Sequence, residues 1–168
     1  MGKQSIIVNG VAYSHDQVVA GAFVANSNFE RSTLSFCQAW FTDKNTFSLM
    51  TSGSTGPPKE VTFTRDQMIA SAKMTGDALN LKSESTSLVC LDTKYIAGQM
   101  MLVRSFVIGM NIIAVEPGAN PLNTFSKNQS IDLAAFVPYQ VQAILNSAPE
   151  KLDNVKTAII GGAPMDQT

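Results

Sequence analysis

The sequence predicts an α/β domain: a largely parallel sheet with helices on both faces. Three observations predict it. From Phe47 onward, short apolar β-type runs alternate with segments of helical periodicity. Glycine-rich loops follow Met50 and Ile160, at strand ends of the kind where parallel sheets gather their ligands. Of the 168 residues, 45% are hydrophobic and 15% charged, which supplies a core and argues against a disordered chain.

The chain opens with a hairpin, strands over residues 6–8 and 11–13 flanking Asn9-Gly10, a pair suited to two positive φ angles. Ser14 and Gln17 form a capping box for a helix reaching Ala25. A second helix is expected over residues 31–41, with Leu34, Phe36, Cys37, Trp40 and Phe41 at its apolar positions. Strands over 47–50 and 61–63 flank a glycine loop. Thr64 and Gln67 make another capping box, opening a helix to Leu79.

A β-type run covers 87–91, and residues 96–108 carry helical periodicity until Gly109 stops it. Residues 111–115 read as a buried strand ended by Pro117-Gly118. The last elements are a strand over 133–137, a helix over 139–146 led by Pro138, and a strand over 157–160 before Gly161-Gly162.

Twelve basic against thirteen acidic residues give a net charge of -1, which leaves no electrostatic footprint for nucleic acid or an anionic membrane. Cys37 and Cys90 lack metal-ligand spacing, and with only His15 beside them a metal site is not expected; buried free thiols are. No signal-peptide pattern follows Met1, and Ile6 stands where a myristoylation motif wants Ser or Thr. The apolar stretch over 100–115 is interrupted by Arg104 and Asn111, so no membrane insertion is expected and the location is expected to be cytoplasmic.

The segment Thr51-Ser-Gly-Ser-Thr-Gly-Pro-Pro-Lys59 carries the chemistry. Gly53 and Gly56 permit backbone conformations that turn N–H groups toward an anion. The hydroxyls of Thr51, Ser52, Ser54 and Thr55 can donate to phosphate oxygens, and Lys59 adds a positive charge. It is not a Walker A loop, because two prolines separate the last glycine from the lysine and a strand follows. Composition alone also allows a plain Ser/Gly surface turn.

The whole segment resembles the signature of the adenylate-forming, AMP-binding superfamily, which includes acyl-CoA synthetases, peptide-synthetase adenylation domains and luciferases. Ser48, where an apolar residue is usual, and Glu60, where glycine commonly follows the lysine, depart from it. The resemblance continues through most of the chain after Phe47. Leu91-Asp-Thr-Lys-Tyr-Ile-Ala-Gly98, with Arg104, looks like the segment lining the acyl pocket; Tyr95 stands where many members have histidine. Ile159-Ile-Gly-Gly-Ala-Pro164 is similar to the glycine turn beside the adenine and acyl group. The short approach to the loop and the Gly-Gly-Ala-Pro-Met string are most similar to the o-succinylbenzoate–CoA ligase branch.

The resemblance implies ATP, Mg²⁺ and coenzyme A as reactants and a small-molecule carboxylic acid as substrate. It implies phosphate and nucleotide contacts from Thr51, Ser52, Gly53, Ser54, Thr55, Gly56, Lys59, Gly161, Gly162 and Ala163. Substrate contacts would come from Tyr95, Gly98 and Arg104. Tyr95 could equally pack on the core, and Arg104 could reach the surface or pair with an acid. No catalytic residue and no metal ligand is implied within the chain. Residues 1–168 would be part of the large amino-terminal domain, with 1–45 a hairpin plus helices, 46–168 the βαβ region and the carboxy-terminal domain absent. Such a fragment is expected to lack turnover alone and to self-associate through surface that the absent half would cover. Another adenylate-forming ligase and a non-catalytic phosphate-binding module are the alternatives.

Overall fold

A computed structural model describes residues 4–42, 44–50, 60–126 and 129–163. The chain begins with β1 (Ile6–Val8) and β2 (Val11–Tyr13), joined by Asn9 and Gly10 at φ 47° and 82°, the two positive φ angles that the Asn-Gly pair predicts. Ser14 and Gln17 make the expected reciprocal cap of α1 (His15–Val19). The helix stops six residues short of Ala25, because Gly21 takes φ 67° and the Ala22 N–H turns back to the Gln17 carbonyl.

Helix α2 (Asn28–Phe41) starts three residues earlier than its apolar pattern suggests. The cause is a cap: the Ser27 hydroxyl accepts the Glu30 N–H at 3.1 Å. Glu30 is itself buried, where it accepts from the Asn9 amide at 2.8 Å and the Asn26 N–H at 2.6 Å. The Asn9 bond first, then the Asn26 bond, holds its carboxyl below the usual range.

Next come β3 (Thr46–Met50), β4 (Glu60–Thr64) and α3 (Arg65–Ala78), the last capped by Thr64 and Gln67 as expected. β3 and β4 pair antiparallel, Met50 opposite Glu60, as a ribbon separate from the main sheet. This corrects the expectation that both belong to the parallel strand–helix series. Only nine residues, 51–59, separate them, too few for a crossover between parallel strands. Those nine, and with them the candidate phosphate contacts Thr51, Ser52, Gly53, Ser54, Thr55, Gly56 and Lys59, lie outside the described residues.

The remaining elements are β5 (Thr86–Val89), α4 (Ile96–Ile108), β6 (Asn111–Ala114), β7 (Leu133–Phe136), α5 (Pro138–Ser147), a 3-10 turn (Pro149–Asn154) and β8 (Ala158–Ile160). The main sheet has six strands in the order β2-β1-β6-β5-β7-β8, and only the β1–β2 pair is antiparallel. The fold is thus the largely parallel sheet that the alternating pattern predicts.

Helices cover both faces, and the period-2 alternation of the strands decides which side chain meets which. Val89, Ile112, Ala114, Leu133 and Ala135 face a core built with α2, α3 and α4. Leu88, Cys90, Ala134 and Phe136 face the other way, under Val141 and Ile144 of α5 and beside Leu122 and Phe125. Cys37 and Cys90 fall in these separate cores, so they cannot form a disulfide. Burial pushes each thiol up to about 12. No described helix is long and apolar enough to cross a membrane.

Candidate functional site

Three parallel strands deliver chain to one end of the sheet. β5 runs into Leu91 and Asp92, β7 into Val137, and β8 into Gly161 and Gly162. Between these ends and the side of α4 lies a cavity of about 420 Å³. Its floor uses the small Ala135 with Ile159, and α4 contributes Ile96, Ala97, Met100 and Arg104, which fall on one helical face by their spacing.

Arg104 is the cavity's cation. Burial alone lowers its pKa, and it has no carboxylate partner among the described residues. One guanidinium nitrogen lies 3.7 Å from the Met101 sulfur, while Nε is buried without a partner. A buried guanidinium N–H left unsatisfied is costly unless an anion completes it. Of the two bland alternatives for Arg104, pairing with a described acid is excluded.

Tyr95 occupies the turn before α4, its N–H donating to the Asp92 carbonyl at 3.1 Å, and its side chain lines the cavity. It also forms a parallel bridge with Met50, the last residue of β3. The ribbon that frames residues 51–59 is thereby pinned beside the cavity mouth. Arg65 fixes the ribbon's other end: it donates to the carbonyls of Lys44, Trp40 and Thr42 at 2.9–3.0 Å and lies 4.4 Å from the centre of the Trp40 ring system.

Gly161 and Gly162 line the cavity as expected of a glycine turn, Gly162 at φ 93° and Gly161 donating to the Phe136 carbonyl at 3.2 Å. Ala163 is exposed and lies off the lining. Gly98 also has a different place from the one expected. It is buried behind the cavity wall, where a Cβ would sit 2.6 Å from the Asp92 carbonyl oxygen and 2.7 Å from that of Leu91. Its job is to let the first turn of α4 rest on that backbone.

Sequence reasoning missed Met100, although counting back one turn from Arg104 finds it, and it placed Ile96 only within the 91–98 segment without singling it out. Asp92, in the same segment and likewise not singled out, accepts the Lys94 N–H on its Oδ1 at 2.9 Å in an Asx turn. A second hollow of about 480 Å³ opens on the opposite face between β1, β6 and the 118–125 loop. Its one ionisable lining residue, Glu116, is already bonded to Asn9 and Ser27, so it offers a carboxylate ligand nothing. Among the described residues no group of three or more His, Cys, Asp or Glu could cage a metal ion.

Comparison with known proteins agrees with the fold. A family model described as AMP-binding enzyme matches residues 37–168. A 2-succinylbenzoate–CoA ligase of Staphylococcus aureus is 27% identical over 121 residues, which is 71% of this chain and 25% of that protein. The chain thus spans about a quarter of the curated relatives it matches. An acyl-CoA synthetase (AMP-forming)/AMP-acid ligase II-like protein of Dyadobacter fermentans superposes with a TM-score of 0.79 at 38% identity, covering 89% of this chain and 43% of that one. The Bacillus subtilis o-succinylbenzoate coenzyme A synthetase, solved in complex with AMP, superposes with a TM-score of 0.61 at 21% identity over 71% of this chain and 25% of its own.

Proposed function

Because the chain belongs to the AMP-binding enzyme family, we propose that it forms the acid-binding and pyrophosphate-binding side of an acid–CoA ligase. The acid is o-succinylbenzoate, which places the enzyme in menaquinone biosynthesis in the cytoplasm. In this reading a substrate carboxylate oxygen attacks the α-phosphorus of ATP, the bond to the pyrophosphate oxygen breaks, and the thiol of coenzyme A then displaces AMP. Residues 51–59 cradle the departing pyrophosphate through Thr51, Ser52, Ser54, Thr55 and the Gly53 and Gly56 backbone, with Lys59 balancing its charge. Mg²⁺ would arrive on the nucleotide and neutralise phosphate charge.

One observation carries the reading. A largely apolar cavity holds a guanidinium with an unsatisfied N–H, next to the residue that pins the ribbon carrying the loop. The apolar wall suits an aromatic body, Arg104 an anionic group of the acid, Tyr95 the mouth, and Gly161, Gly162 and Ala163 the border between acyl group and adenine. Gly98 serves by packing. An aryl or fatty acid ligase would use the same wall but gives Arg104 no second anion to bind.

Titration calorimetry with ATP·Mg²⁺ tests the phosphate half. The chain is expected to bind, and Lys59→Ala to weaken binding about tenfold, the scale of one lost charge-assisted contact. Identical heats from both proteins would sink the phosphate site. Absence of turnover by the chain alone and its self-association belong to the same reading, checked by pyrophosphate release and light scattering.

A further inference from the structure

The turn that carries Tyr95 is clamped from behind. Thr93, wholly buried like Thr33, meets two hydroxyls of α2: Ser32 Oγ at 2.6 Å and Thr33 Oγ1 at 2.8 Å. One proton per hydroxyl fixes the direction of these bonds. Ser32 directs its proton to the Phe29 carbonyl at 3.0 Å, so Thr93 donates to Ser32 and Thr33 donates to Thr93. The Thr93 carbonyl in turn accepts from Gln99 Nε2 of α4 at 2.8 Å. Thr93 is thus held by α2 on one side and α4 on the other, two residues before Tyr95.

Tyr95 lines the cavity and bridges Met50, the last residue of β3. The ribbon of β3 and β4 shares no ladder with the six-stranded sheet. Arg65 holds one end of it, and the Tyr95–Met50 bridge ties the other. A backbone bridge places Met50 only as firmly as Tyr95 itself is placed, and the Thr93 hydroxyl ties that turn to α2.

We propose that Thr93 is a positioning residue for the nucleotide side of the site: through Tyr95 and Met50, its hydroxyl sets where residues 51–59 leave β3. The proposal rests on the acid–CoA ligase reading. Thr93 touches no ligand itself. A hydroxyl suits the task because its bonds are directional. An apolar side chain of the same shape would fill the space, but it would let the turn slide along α2 and leave the buried Thr33 proton without an acceptor. A small shift at the root of a binding loop is then felt in every phosphate contact that the loop makes.

Calorimetry with ATP·Mg²⁺ tests this on the wild-type chain and on Thr93→Val, Thr33→Val, Thr93→Ser and Ile144→Val, each well below its melting temperature. Valine at 93 loses both hydroxyl bonds and should weaken ATP·Mg²⁺ binding about tenfold; valine at 33 loses one and should weaken it about threefold. Serine at 93 keeps both bonds and should stay within about twofold of wild type. Ile144→Val trims the core under α5, away from the clamp, and should lower the melting temperature without changing affinity. Equal affinity for wild type and Thr93→Val overturns the role of Thr93, as does a matching loss in Thr93→Ser or Ile144→Val. If Thr93→Val does not fold, the affinity of Thr33→Val decides in the same way. If the wild-type chain binds no ATP·Mg²⁺, the phosphate-site reading fails and this inference with it.

Discussion

The two faces of the sheet each carry a hollow, about 420 Å³ beside α4 and about 480 Å³ beyond the reach of α5. The smaller is walled mainly by aliphatic side chains and the larger by aliphatic and polar ones together, yet the larger is the less interesting. The smaller sits where three parallel strands end, includes a desolvated guanidinium, and is bridged to the ribbon that frames residues 51–59. The larger holds one carboxylate, Glu116, whose Oε2 accepts from Asn9 and Ser27, and, among the described residues, no cation. Volume does not mark the site; an unsatisfied charged donor at strand ends does.

The contrast can be broken first through glycine. Gly98→Ala on the α4 side drives a methyl into two carbonyl oxygens, and about 3 kcal/mol of stability should be lost. Gly118→Ala on the rim of the other hollow meets nothing within 4 Å and should stay within about 0.5 kcal/mol of wild type. Urea denaturation of both variants decides it, and equal losses would refute the packing role assigned to Gly98.

A smaller effect is expected at the ribbon. Arg65→Ala removes three hydrogen bonds to the end of α2 and the stretch leading into β3, together with the cation–π contact on Trp40, at a cost of about 2 kcal/mol. Changed Trp40 fluorescence should accompany it. An unchanged midpoint and spectrum would mean that the ribbon is held by other contacts.

The smallest effect distinguishes the β1–α2 corner from the rest. Glu30 has a depressed carboxyl pKa, from the Asn9 amide first and the Asn26 N–H next. The unfolded state therefore takes up its proton first as the pH falls, so the stabilisation is full above the unfolded carboxylate pKa and disappears as pH drops through the folded one. Glu30→Gln should flatten the acid limb of a stability–pH curve and leave the neutral plateau slightly lower. An unaltered acid limb would assign acid sensitivity elsewhere.

Much of this was legible in the sequence where a local signal coincided with the tertiary one. The limits of α4 follow from its periodicity and from Gly109, which takes φ 83° at its end. α1 was overextended because Ala22, Phe23 and Val24 keep an apolar character that Gly21 prevents from being helical. The true start of α2 lay in Ser27-x-x-Glu30, a cap signal outweighed by the stronger apolar run that follows. The pairing of β3 with β4 needed only the count of residues between them. Arg104 and Tyr95 were identified and share the cavity. The place of Gly98 was not legible, because a contact with the backbone six residues earlier leaves no pattern in side-chain chemistry.

Binding of o-succinylbenzoate to the wild-type chain and to Arg104→Met, followed by calorimetry beside a thermal melt, tests the central claim most directly. Replacing a desolvated guanidinium by an apolar side chain of similar length should leave the melting temperature unchanged or higher. Affinity should fall about tenfold or more, the scale of a charge-assisted pair. Equal affinity for the two proteins, with the fold intact, would contradict the assignment of Arg104 and of the α4 cavity as the acid site.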